Sequence, residues 1–153
     1  MTKEDAWNEV IIRLKNIANI QKVYEGWVDF DSVPHSHYPC IVVEPVYAEV
    51  DFDAYNFSTS YAIENFGVVV WILFKIFQKD KQVIGVGALN GALDWEDAVK
   101  DKLLELPLYL NEEIIEIRFP RVQYLRTAAE SPGQVQLRVV QMEIVLDVKL
   151  CGR

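Results

Sequence analysis

The chain is poor in the residues from which reactive sites are built. It holds two histidines and two cysteines among 153 residues. Cys40 and Cys151 lie far apart and match no paired-cysteine metal spacing, so the pattern fits free thiols in a reducing compartment. A nucleophilic cysteine or serine needs a histidine partner, and only His35 and His37 are present. Positive charge is also short. Lys and Arg number 15 against 23 Asp and Glu, for a formal net charge of −8. That disfavours a broad duplex-binding surface, which needs cations to displace counterions. It also disfavours adhesion to anionic membranes, while plain solubility accounts for the sign. No apolar run approaches the roughly 20 residues that span a bilayer. The longest is Gly67–Phe74, ended by Lys75. The opening MTKEDAWNEV has no basic stretch leading into an apolar one, so no signal peptide is expected. Internal repeats and low-complexity tracts are absent.

What the chain does have is apolar patterning at an ordinary globular level, 51% apolar and 25% charged, as for one domain over 1–153. Residues 3–20 carry Trp7, Val10, Ile11, Leu14, Ile17 and Ala18 at helical spacing, giving one apolar stripe. Thr2 and Asp5 suit its start. Lys22–Val28 is a short strand candidate. Asp29–Pro39 is a loop by its prolines, Asp and Ser. Cys40–Val50 is a strand in which Pro45 requires an edge or a bulge. Asp51–Tyr61 has no clear period and reads as a loop or hairpin tip.

Two long strand-like runs dominate the rest. Ala62–Phe77 is apolar on both faces, as for a central strand or one contacting a neighbour. Val135–Leu150 alternates through Val139 and then changes phase at Val140, which predicts a β-bulge. Between them, residues 82–105 read mostly helical, or as a helix beginning at Trp95 and capped by Asp94. Glu113–Leu125 is a strand broken at Pro120. A run of this length extends roughly 50 Å if straight. A compact domain of this size is only about 40 Å across. Such strand ends project and need a specific partner, so oligomerisation is expected.

The candidate sites are few. His35, Ser36 and His37 with Cys40 and Glu44 form the only metal-like cluster, and they fall in a loop. A small metal- or ligand-binding domain using residues 35–44 is the alternative function. The Gly85–Gly91 run has Asn90 where a dinucleotide loop needs its third glycine, and an acidic turn follows where phosphate would dock. Asp51-Phe52-Asp53 lacks the glycine and glutamate of a calcium loop. With no catalytic cluster and no cofactor motif, the expectation is a non-enzyme without cofactors. The arginines Arg118, Arg121, Arg126 and Arg138 fall on the last two strands. They read either as cross-strand partners of Glu113, Glu116 and Glu143 or as an inter-subunit surface.

The order of elements and the wording of four segments resemble one family. PCIVVEP (39–45), FGVVVWILFK (66–75), DWEDAVKDKLLEL (94–106) and VVQMEIVLDVKL (139–150) follow each other as in the tail-terminator, or tail-to-head joining, proteins of long-tailed bacteriophages and prophages. The resemblance implies an α+β fold, a mostly antiparallel twisted sheet with two helices on one face. It implies a homo-oligomeric ring, six copies capping the tail tube and presenting a docking surface to head-completion proteins. DNA would pass through the ring without specific binding. The protein would sit in the virion tail, after assembly in the host cytoplasm. No catalytic residue carries over. Contact with neighbours is expected at Tyr47, Asp51, Phe52, Tyr55 and Phe57 and at Arg118, Arg121 and Arg126.

Overall fold

The computed structural model describes residues 3–56, 61–75, 82–85, 90–105, 114–126 and 137–151. The fold is α+β, with two helices and a five-stranded, mostly antiparallel sheet. In chain order the main elements are α1 (Lys3–Lys15), β1 (Lys22–Glu25), β2 (Cys40–Asn56), β3 (Tyr61–Lys75), α2 (Ala92–Leu104), β4 (Ile114–Arg126) and β5 (Leu137–Cys151). The strands lie in the order β1-β2-β3-β5-β4, and only the β1–β2 pair is parallel.

Helix α1 is shorter than its apolar stripe. The chain tightens at its end, where the Asn16 and Ile17 amides donate to Arg13 and Leu14. It then turns at Asn19, whose φ of 70° lies in the left-handed region that Asn tolerates. Arg13 ties the two helices together. Its guanidinium donates to the backbone oxygens of Glu105 (2.6 Å) and Lys102 (3.2 Å) at the end of α2, where carbonyls have no partner inside the helix.

Helix α2 begins at Ala92, and residues 82–85 are not helical. The expected helix from residue 82 and the expected start at Trp95 are both corrected. Asp94 acts three residues inside the helix. Its carboxylate accepts the amides of Gly91 (2.8 Å) and Gly85 (2.6 Å). Glycine, which lacks a capping oxygen, sits at the N-cap, so the acid supplies the acceptor that the exposed amides need.

Both helices pack on one face of the sheet. Phe66, Val68, Val70, Ile72 and Phe74 of β3 meet Ala6, Val10, Ile11 and Leu14 of α1 and Trp95, Val99 and Leu103 of α2 in one buried cluster. The opposite face is covered at one end by the 28–39 segment with its two short 3-10 turns. Val33 there closes over Cys40, Val42, Leu73, Leu137 and Val139. A parallel strand pair needs a crossover of this length.

That two-sided cover corrects the expected bulge in the last strand. β5 pairs with β3 in unbroken register from Leu137↔Lys75 to Cys151↔Tyr61. Val139 is buried beneath the 28–39 segment and Val140 beneath the helices. The apparent change of phase marks where cover exists on both faces, and no residue is inserted. Of the four irregularities in the other ladders, two sit at the prolines, between Pro45 and Tyr47 in β2 and between Arg118 and Arg121 in β4, around Pro120, and two lie elsewhere, between Asp51 and Asn56 in β2 and between Ile114 and Glu116 in β4. β4 runs through Pro120 without ending.

Candidate interaction surface

The stretch read as a loop from Asp51 is strand as far as Asn56, so β2 is 17 residues long. Its outer neighbour, β1, covers only Cys40–Val43. From Glu44 onward, no described strand pairs with that side of β2. Burial follows the pairing. Ile41, Val42 and Val43 are fully buried, whereas residues 45–50 are all exposed, with Val46 at 58%. At the other side of the sheet, β4 pairs with β5 alone among the described strands and exposes Tyr124 and Leu125. Among the described residues the sheet therefore has two open edges, each with exposed apolar side chains. Such edges are templates for adding another strand.

Two residues expected at contacts are brought into one row across the sheet. Tyr47 stands opposite Gly67, Gly67 opposite Val145, and Val145 opposite Arg118. The Tyr47 ring lies over Gly67 so closely that any Cβ there would collide with it. This glycine is needed for the close approach of an aromatic ring. Beside the row, the Arg118 guanidinium donates to Asp147 (3.0 Å) and reaches Asn65 (3.5 Å). The hydrogen bond from Arg118 to Asp147 raises the arginine's pKa further and keeps it charged. Asp147 is therefore the ion-pair partner of Arg118, in place of the glutamates proposed from the sequence. Arg121 is exposed and faces Glu143 across the ladder. The backbone of Asp51, Phe52, Tyr55 and Arg126 lies on β2 and β4, while their side chains, and Phe57 as a whole, lie outside the described residues.

The metal-like cluster is not assembled. His35 and His37 share one 3-10 turn, and the His37 ring is hydrogen-bonded through Nδ1 to the Tyr24 hydroxyl. Cys40 is fully buried. Among the described residues, no three His, Cys, Asp or Glu side chains group as metal ligands. Burial pushes the Cys40 thiol up to about 12 from its ordinary value near 9. The folded chain thus holds a proton that the unfolded chain releases between pH 9 and 12. Stability from this group is complete below pH 9 and is lost as pH rises through that window. In a Cys151→Ser background, Cys40 is expected to resist thiol reagents at pH 8 until urea unfolds the protein. The urea midpoint is expected to fall between pH 8 and pH 10.5. Of the Gly85–Gly91 run, residues 86–89 lie outside the described residues, and the Gly85 and Gly91 amides both donate to Asp94.

The structure adds residues that the sequence reading passed over. Trp27 is 59% exposed and stacks edge-on against Trp71, with Phe30 beside it. Val46 and Val50 are exposed on the open part of β2, and Glu49 lies between them. Pro45 was the available signal for these, since a proline inside a strand marks an edge. Among the described residues, no helix is long and apolar enough to cross a membrane. The chain matches no model of a known protein family, and no curated protein matches it significantly.

Proposed function

We propose that this chain is a virion structural subunit of the tail-terminator type, assembling into a ring that caps the phage tail tube and offers a docking surface to the head. One observation carries the reading: β2 runs 13 of its 17 residues past the four that β1 covers, with exposed apolar side chains along the open edge. A second open edge on β4 lies at the far side of the same sheet. Two different edges on one subunit suit head-to-tail association, and such association closes into a ring when the rotation per copy allows. The segments 39–45, 66–75, 94–106 and 139–150, whose wording resembles that family, are the β2 start, β3, α2 and β5 of this fold. The acidic balance suits a ring through which DNA passes without adhering.

Light scattering behind size exclusion tests the proposal. Six copies of a 17.7 kDa chain give about 106 kDa. A mass that rises with concentration from monomer towards that value, or binding of the monomer to tail-tube protein, is the expected result. A strict monomer that binds no tail-tube protein overturns it.

A further inference from the structure

The two open edges differ in charge. The open part of β2 carries Glu44, Glu49, Asp51 and Asp53 and no cation, while β4 carries Arg118, Arg121 and Arg126 against a single acid, Glu116. We propose that copies of this chain join by one strand pair, the open part of β2 on one copy running antiparallel to β4 of the next, with Glu49 opposite Arg121. This rests on the self-assembly reading above and specifies its interface.

Direction, length, face and register each agree with the pairing. β2, β3, β5 and β4 alternate in direction along the sheet. A neighbour in the same orientation therefore presents β2 antiparallel to β4, and the sheet continues without a reversal. Along the ladders, the open stretch of β2 spans nine positions of β3, from Val69 to Tyr61, and β4 spans eleven positions of β5, from Val148 to Arg138, so the two edges are similar in length. Glu49 stands opposite Asn65, Asn65 opposite Asp147, and Arg118 bonds both. Arg121 stands opposite Glu143, four residues from Asp147 on the same strand and so on the same face. Glu49, Arg118 and Arg121 therefore share the face opposite the helices, as a continuous sheet requires.

Register follows from the ladders. Glu49 to Asp51 spans Asn65 to Ile63 on β3, and Arg121 to Arg118 spans Glu143 to Val145 on β5. Setting Glu49 against Arg121 thus sets position 51 against position 118. It also sets Leu125 against Glu44, the first β2 position that β1 leaves open. The symmetric alternatives fail on charge. Pairing β2 with a second β2 opposes acids to acids, and pairing β4 with a second β4 opposes arginines to arginines, both destabilising.

A charge swap tests the pairing. Glu49 and Arg121 are exposed, so E49R is expected to fold with wild-type circular dichroism and melting, and R121E, which sets a second acid opposite Glu143 of its own sheet, to keep wild-type circular dichroism with a melting temperature lowered by a few degrees at most. Each variant alone is expected to assemble more weakly by roughly tenfold per interface. An equimolar mixture of the two, and the double variant E49R/R121E, are expected to recover assembly to within about threefold of wild type. As a second measurement, in a Cys151→Ser background, Glu49→Cys and Arg121→Cys chains are expected to form a disulfide dimer only when mixed. Single variants that assemble like wild type, or swaps and mixtures that recover nothing and do not cross-link, overturn this strand pair while a wild-type ring keeps the functional reading. A wild type that stays monomeric at every concentration and on tail-tube protein overturns the functional reading itself.

Discussion

Trp95→Ala is expected to destabilise the fold by about 3–5 kcal/mol, as truncation of a large buried aromatic does. Trp95 is 2% exposed and stands in the cluster that joins α1 and α2 to the sheet. Interiors are close-packed, so the neighbours refill only part of the space the indole leaves. Its Nε1 is buried without a hydrogen-bond partner among the described residues. That gives a control. Trp95→Phe keeps a ring in the site and removes the unsatisfied donor, whose burial is itself unfavourable. The phenylalanine variant is expected to lose about 1 kcal/mol or less. Urea midpoints, read at constant slope and at concentrations where the protein is monomeric, measure both. Equal losses for the two variants would show that the site depends on the indole nitrogen and not on filled volume.

Replacing both Val46 and Val50 by lysine is expected to do the reverse, leaving the monomer intact and removing assembly. Both side chains are exposed on the part of β2 that β1 does not cover. Surface changes of this kind shift stability by no more than about 0.5 kcal/mol. Lysine on an open edge is the device by which natural sheets avoid edge-to-edge pairing. Two of them at every interface of a ring are expected to raise the concentration needed for assembly by about a hundredfold or more, since each 1.4 kcal/mol lost is a factor of ten. Sedimentation of wild type and variant over one concentration range reads the effect. Unchanged assembly with an unchanged fold would place the contacts away from the β2 edge.

The sites on the sheet were partly legible in the sequence. Pro45 announced an edge or bulge, and it stands at both, next to Val46 and beyond the reach of β1. Arg118 and Arg121 were expected on the last strands and lie on the outer one. Tyr47 was expected at a contact, but its seat over Gly67 could not be read, because 20 residues separate the two and only strand pairing makes them neighbours. The Arg118–Asp147 pair was missed for the same reason. The glutamates looked closer in the sequence, and the ladder placed an aspartate within reach.

The α+β class was what the resemblance in segment wording implied, whereas by itself the sequence determined where apolar residues recur, and hence the helical stripe of α1 and the doubly apolar run of β3. Those follow from side-chain period, which is local. It also singled out the two long runs, which became the inner, mutually paired strands β3 and β5, while the open edge fell on β2, a strand expected to end at Val50. Only the tertiary structure decided which faces are covered, and how far. Val139 and Val140 are both buried because the 28–39 segment and the helices lie on opposite sides of one strand. Asp51–Asn56 is strand, held to β3 at its two ends by Asp51 opposite Ile63 and Asn56 opposite Tyr61 across an irregular stretch, although its own composition favours a turn. Helix α2 starts where Asp94 can reach two glycine amides, not where its apolar stripe begins. In each case an interaction between residues distant in sequence outweighed a local preference of about 1 kcal/mol or less.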